Sequence, residues 1–255
     1  MSPAPAGAEA PLRDALQVCG RLAVEKAPPL REQQLRDLFE GEVVRLYQPA
    51  TDASPGKAVG LLISSQPRDR LWLAIRTAAI DTRGDYREQR LSAKGSDEVW
   101  FGYLKLPLFF GQRYWLTRGS DNAALAQATD NAAWEHFWNL VDDGKRLVGQ
   151  AAQAGQLAGI GSSEIADAVY LSANRGSWIL FALPGGRTLI IYQVVTVIGG
   201  IIPDELVARY AVYRIGDLLR DIEKQAAAIE CRYNSAHPPV FGGDGLELPR
   251  LDRAL

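Results

Sequence analysis

A long amphipathic segment near the carboxyl end of the chain constrains the fold more than any other feature. Its apolar residues, over positions 203–229, recur every three or four residues, as they do along one face of an α-helix. Pro203, Asp204 and Glu205 are typical of a helix start, because proline fits the first turn and acids favour the positive end of the helix dipole. A helix of about 28 residues is roughly 40 Å long. It therefore needs a broad apolar surface against which to bury its stripe.

The segments that precede this helix alternate as β-strands. Strands are predicted at residues 168–172, 177–183 and 188–197, with turn residues between them at 174–176 and 184–186. Strands joined by short turns form antiparallel sheets. The pattern predicts an α+β fold, in which a curved antiparallel sheet wraps around the long helix and leaves an internal apolar cavity.

The chain length of 255 residues suits one large domain or two small ones. Residues 1–40 are predicted to be an N-terminal lead-in with helices that pack on the domain. Residues 41–230 are predicted to be the domain itself, and residues 231–255 a Pro- and Gly-rich tail.

The composition excludes several classes of function. The chain has 28 basic and 30 acidic residues, so it lacks the positive charge that attracts nucleic acid. Two cysteines and two histidines leave no zinc-binding pattern, and Cys19 and Cys231 are either separate thiols or one disulfide. Nucleotide-binding glycine motifs, HExxH and GxSxG are absent. We therefore predict no enzyme activity, no catalytic residue, no cofactor and no metal.

The expected location is the cytoplasm. No run of about 18 apolar residues could span a membrane, and the first ten residues lack the basic and apolar parts of a signal peptide. Export to the periplasm remains the alternative, if a signal peptide has been removed. The sequence leaves the oligomeric state open.

Three short patterns follow one another within residues 167–229. They are a Gly-x-Trp strand, a Thr-x-x-x-Tyr strand and a Gly-Gly-x-x-Pro entry into the long helix, here Gly176/Trp178, Thr188/Tyr192 and Gly199/Gly200/Pro203. They resemble the C-terminal half of a START domain, the steroidogenic-acute-regulatory-related lipid-transfer family. The resemblance covers roughly residues 42–229 and extends to the wider helix-grip (SRPBCC) superfamily. It implies a helix-grip fold that holds one lipid in a cavity closed by the C-terminal helix.

Candidate ligand-binding residues are large aromatics of the strands, polar groups among them and the inner stripe of the helix. The aromatic candidates are Trp100, Tyr103, Tyr114, Trp134, Trp138, Trp178, Phe181 and Tyr192. The helix contributes Ala211, Ile215, Leu218 and Ile222. The polar candidates are Arg113 and His136. The resemblance implies that Arg113 orients the ligand, whereas an ion pair with Glu98 or Glu135 is the structural alternative.

The predicted gate combines an apolar loop with the entry to the helix: Leu108, Phe109, Phe110, Gly199, Gly200 and Pro203. The loop either folds back on the core or contacts a membrane transiently during ligand exchange. The predicted ligand is a sterol, another polycyclic molecule or a phospholipid-like molecule. The alternatives are a cyclase or hydrolase of the same superfamily and a module that binds a partner without a ligand.

Overall fold

The structure is a computed structural model that describes residues 6–52, 54–77, 86–94, 97–106, 111–199 and 204–251. Its helices are α1 (Ala6–Leu22), α2 (Glu32–Phe39), α3 (Arg68–Thr77), α4 (Ala123–Ala128), α5 (Gly144–Gln153), α6 (Ser162–Ala166) and α7 (Asp204–Ala227). Its strands are β1 (Val44–Gln48), β2 (Lys57–Ser64), β3 (Tyr86–Lys94), β4 (Asp97–Lys105), β5 (Gln112–Asp121), β6 (Ala133–Leu140), β7 (Val169–Tyr170), β8 (Ala173–Leu183) and β9 (Arg187–Val197).

Within the described residues, the strands form one curved, largely antiparallel sheet. The order of its strands is β1-β2-β9-β8-β6-β5-β4-β3. The short β7 lies off this path and pairs in parallel with β5. The helix α7 packs along one face, which we call the inner face, and this arrangement confirms the predicted α+β helix-grip fold.

The C-terminal half of α7 is seated firmly on the inner face. Ile215, Leu219, Ile222 and Ala226 are buried in one cluster with inner-face residues of β2, β8 and β9. Gly60 makes this close approach possible, because a Cβ atom there would lie 1.9 Å from Cγ2 of Ile215. The absence of a side chain at one position of β2 therefore sets the distance between helix and sheet.

The outer face of the sheet is covered by the remaining helices. Helices α1 and α2 pack on β1, β2, β8 and β9, and Leu12, Cys19 and Leu38 are fully buried there. Helices α5 and α6 pack on β4 and β5. Cys231 follows α7 on the inner side of the sheet, so no disulfide joins it to Cys19.

The segment that follows α7 also belongs to the core, where a tail was expected. Tyr233, Val240 and Leu248 are buried against α3 and α7. The indole Nε1 of Trp72 donates a hydrogen bond of 2.8 Å to the carbonyl of Phe241. Residues up to 251 therefore support the C-terminal half of α7 from the side.

The predicted turn at residues 174–176 is wrong, because those residues lie inside β8. Gly176 signals a close approach there: a Cβ atom would lie 2.5 Å from Cζ2 of Trp138 on the neighbouring strand. The prediction of a third meander strand at 168–172 is also wrong, because β7 pairs with β5 and not with β8.

We expect Gly60→Ala to destabilise the protein by about 1–3 kcal/mol, because the added methyl group overlaps Ile215 and forces α7 away from the sheet. Urea denaturation measures this change. Gly149→Ala in α5 is the matched control: a Cβ atom there would have no neighbour within 4 Å, and the variant should gain about 0.5–1 kcal/mol. A Gly60→Ala variant as stable as the wild type would contradict the close contact.

Candidate ligand pocket

The N-terminal half of α7 does not complete the packing that its C-terminal half achieves. Its inward residues Val207, Ala211 and Val212 are only partly buried. Trp138 and Tyr192, which face this half from the sheet, are partly accessible as well. The space between them is called the candidate pocket, and six of its lining residues are Glu88, Trp115, Trp138, Tyr192, Val207 and Ala211.

The deeper wall of the candidate pocket is a stack of aromatic rings. The ring of Tyr192 lies 4.3 Å from that of Trp178 and 6.0 Å from that of Trp138, measured between centroids. The indole Nε1 of Trp138 donates a hydrogen bond of 3.1 Å to Oδ1 of Asn174, which fixes the ring along the sheet. Gly176 on β8 leaves room for that ring. These rings together form an apolar wall of the candidate pocket.

A carboxyl group lies at the other side of the candidate pocket. Glu88 on β3 pairs in register with Gly102, and the ring of Trp115 occupies the space that a Gly102 side chain would need. Tyr86 donates a hydrogen bond to Glu88, and its ring lies 5.8 Å from that of Trp115. Desolvation raises the pKa of Glu88 to about 7.

Burial is the main influence on the pKa values of Glu88 and Tyr192. Glu88 and Tyr192 are partly accessible, yet desolvation is the main cause of the raised pKa of each. The Glu88 carboxylate also raises the pKa values of Tyr192 and Tyr86, which places all three groups close together across the curved sheet. These side chains therefore lie in surroundings that disfavour their charged forms.

Sequence reasoning missed Glu88, Tyr86 and Trp115. An acid on an edge strand normally faces solvent, so its residue type gave no warning. The available signal was the alternation of β3, which places Tyr86 and Glu88 on one face, combined with a glycine at the opposing position of β4.

Three structures illustrate what the fold is similar to. Human StAR-related lipid transfer protein 5 is 11% identical with a TM-score of 0.53, over 88% of this chain and 96% of that one. A STAR-related lipid transfer protein from Xanthomonas axonopodis is 16% identical with a TM-score of 0.53, over 72% and 93%. Human STARD10 is 13% identical with a TM-score of 0.51, over 81% and 83%.

The chain has the START-type helix-grip fold. No protein-family model matches the sequence, and no curated protein matches it in sequence. At identities below 20%, the likeness to START structures is one of architecture. The chemistry of the site must therefore be read from this chain's own residues.

In this START-type fold, only some of the predicted ligand-binding residues meet at the candidate pocket. Trp138, Trp178, Tyr192 and Ala211 line it or lie directly behind its lining. Leu218 is partly buried beside the core, and Trp100 is partly accessible on the inner face of β4, where its Nε1 donates to Glu98 at 2.9 Å.

Other predicted residues belong to packed regions. Trp134, Ile215 and Ile222 are buried in the core below the C-terminal half of α7. The placement of Tyr103, Tyr114 and Phe181 in the cavity is wrong, because all three lie on the outer face. Side chains alternate along a strand, so aromatics one residue out of phase with the pocket cannot reach it.

His136 takes part in a buried charge cluster. Its Nδ1 lies 2.7 Å from Oδ1 of Asp121, which also pairs with Arg76 at 3.0 Å. Arg76 in turn pairs with Glu98 at 3.3 Å, and Arg90 binds the same carboxylate at 3.2 Å. The cluster ties α3 to β4, β5 and β6, so His136 serves the scaffold.

Arg113 binds the backbone just after β9, at Ile198 and Gly199. Its Nε donates to the carbonyl of Ile198 at 2.7 Å, and Nη2 donates to the carbonyl of Gly199 at 3.2 Å. The alternative of an ion pair with Glu98 or Glu135 is not realised: Glu98 pairs with arginines, and Glu135 accepts backbone hydrogen bonds at the end of α1.

The predicted gate is described only at Gly199. Gly199 has φ +65°, a conformation that favours glycine, and this explains its place before α7. The remaining gate residues, Leu108, Phe109, Phe110, Gly200 and Pro203, lie outside the described residues. Among the helices that are described, none is long and apolar enough to cross a membrane.

We expect Arg113→Met to lower the free energy of unfolding by about 1–3 kcal/mol, because the buried carbonyl group of Ile198 and the partly buried carbonyl group of Gly199 lose this donor. Urea denaturation measures the loss, and Arg118→Met, exposed on the same strand, should change stability by no more than about 0.5 kcal/mol. An unchanged stability together with a changed profile of bound lipid would instead assign Arg113 to the ligand.

The raised pKa of Glu88 predicts a pH-dependent effect of Glu88→Gln in lipid-free protein. The folded state holds the proton up to about pH 7, whereas an unfolded glutamate releases it near pH 4.3, so wild-type stability falls as the pH rises between these values. A glutamine at this position cannot ionise, so the variant does not lose stability in this way. It should be more stable than wild type by about 3–4 kcal/mol at pH 8, with little difference at pH 4.

Thermal melts of both proteins across this pH range measure the difference. Glu40→Gln, at an exposed position after α2, is the control and should follow the wild type throughout. A stability difference that stays constant from pH 4 to pH 8 would show that the Glu88 carboxyl group is solvated.

Proposed function

We propose that the protein binds one lipid-like molecule in the candidate pocket and carries it between sites. The observation that carries the proposal is the incomplete packing under the N-terminal half of α7, where aromatic and aliphatic side chains remain partly accessible inside the fold. Apolar surface left in contact with water costs ~25 cal/mol per Å², so an apolar ligand gains by covering it. Small-molecule sites are commonly apolar spaces with a few placed polar groups.

The START-type architecture supports the same proposal, since the similar structures carry the name lipid transfer protein. The proposed ligand is a sterol, another polycyclic molecule or a phospholipid-like molecule. Exchange requires α7 and the neighbouring loops to move, because Val207 packs with Leu106 and Ile198 at the border of the pocket. Transient membrane contact by residues 106–111, a cytoplasmic location and its exported alternative stay predictions.

Organic extraction of the purified protein, followed by mass spectrometry, tests the proposal directly. We expect the extract to contain an amphipathic lipid in an amount close to that of the protein. Val194→Trp should abolish this lipid and leave the fold intact, because the larger ring occupies the partly open space in front of β9. The control is Val169→Trp, an exposed position on β7, which should retain the lipid.

The same variant separates a pocket from a filled core. If the space were already packed, Val194→Trp would cost about 1–3 kcal/mol and broaden the unfolding transition. No lipid in the wild-type extract, combined with that destabilisation, would favour the alternative of a partner-binding module.

An enzyme of the same architecture is the second candidate, and Glu88 is the observation in its favour. A carboxyl group with a pKa of about 7 in an enclosed site can act as a general acid or base near neutral pH. Chemical conversion of the extracted lipid by the wild type, lost in Glu88→Gln, would identify this activity.

A further inference from the structure

Glu88 is an acid that has no cationic partner among the described residues, in an otherwise aromatic candidate pocket. Within the part of the chain that the structure describes, no lysine or arginine forms an ion pair with it. The nearest arginine on the same face of β3 is Arg90, which pairs with Glu98 at 3.2 Å. The described residues therefore leave part of the hydrogen-bond acceptor capacity of the Glu88 carboxylate unused.

The groups around Glu88 are suited to one class of ligand head group. The hydroxyl group of Tyr86 donates a hydrogen bond to the Glu88 carboxylate. The hydroxyl group of Tyr192, across the pocket, is close enough for the charge of Glu88 to raise its pKa. The faces and edges of Tyr86 and Trp115 border the same space. Aromatic faces attract cations, and a carboxylate attracts cations and hydroxyl or amine donors while it repels anions.

We propose that the pocket selects an amphipathic lipid whose polar end is a hydrogen-bond donor, an alcohol or an ammonium group, and that Glu88 receives this donor. The inference rests on the proposed lipid-binding function and adds the class of head group to it. A buried acceptor left without a donor penalises the wrong ligand, so Glu88 acts as a specificity residue. Lipids that end in a carboxylate or phosphate are excluded.

The position of Glu88 also orients the ligand. Tyr86, two residues away on the same face, packs in one cluster with Leu106, Ile198 and Val207, at the first turn of α7. The polar end therefore lies near the entry to α7, and the apolar part points toward the stacked rings of Trp138 and Trp178.

Three probes that share a twelve-carbon chain and differ in their polar group test the inference: dodecylamine, dodecanol and dodecanoate. Each is added to delipidated full-length protein at pH 8, below the concentration at which it aggregates. Binding is followed by tryptophan fluorescence, because Trp115, Trp138 and Trp178 lie at the pocket. Native mass spectrometry gives the number bound. We expect the amine and the alcohol to bind at least about tenfold more tightly than dodecanoate.

Glu88→Gln keeps an oxygen acceptor and removes the charge. We expect this variant to bind dodecylamine about tenfold more weakly and dodecanoate more tightly than the wild type does, whereas dodecanol changes by no more than about threefold. Glu40→Gln, exposed after α2, should bind all three probes as the wild type does. In the wild type, tighter binding of dodecylamine than of dodecanol identifies an ammonium head group, and the reverse order identifies an alcohol.

Equal binding of the three probes by the wild type, or identical changes for all three in Glu88→Gln, would overturn the selection and leave lipid binding intact. Failure of every probe to bind, together with an empty extract from the purified protein, would instead overturn the proposed function itself. Circular dichroism of each variant confirms that binding is compared between folded proteins. If Glu88→Gln does not fold, Tyr86→Phe replaces it: the loss of one donor to Glu88 should strengthen binding of the alcohol and the amine relative to dodecanoate.

Discussion

The seating of the C-terminal half of α7 on β2 and β9 is the contact on which the rest of the structure depends. It is possible because Gly60 allows the helix to approach the sheet closely, and because Ile215, Leu219 and Ile222 are buried in one apolar cluster with the sheet. Once this half is fixed, the curvature of the sheet decides how far the other half stands from it. The opening under α7 is thus a consequence of geometry, since a straight helix cannot follow a curved sheet along its whole length.

The two faces of the sheet differ in what packs against them. Helices α1, α2, α5 and α6 cover the outer face, where Glu135 accepts the backbone N–H groups of Val24 and Glu25 and so anchors the end of α1. The inner face carries the buried Arg76–Glu98–Asp121–His136 cluster at one end and the candidate pocket beyond it. The members of that cluster are paired with one another, whereas Glu88 has no cationic partner among the described residues.

The hydrophobic periodicity of the sequence predicts the architecture, but it does not predict which residues line the candidate pocket. The 3.6-residue stripe of α7 and the alternating strands gave the helix-grip fold, since both patterns are local. Which aromatics meet depends on strand register and on curvature, and these are set by pairing between residues far apart in sequence. Tyr103 and Tyr114 were therefore assigned to the wrong side, while Glu88 was overlooked because its opposing residue, Gly102, lies across a hairpin. Arg113 looked like a ligand-binding residue in sequence, but its donors serve the carbonyl groups at the end of β9.

The buried segment after α7 fixes the C-terminal end of that helix and leaves its N-terminal half less supported. Tyr233, Val240 and Leu248 clamp its last turns, and Trp72 holds the returning chain through the carbonyl of Phe241. Helix α7 is thus a rod fixed at its root, with a first half of about eleven residues, roughly 16 Å long, that projects over the pocket. A tilt of about 10° at the root would carry the tip about 3 Å from the sheet and leave the root almost stationary. A movement of this kind would open the candidate pocket and leave the stabilising contacts in place. Those contacts lie at the C-terminal end of α7, where the displacement is smallest.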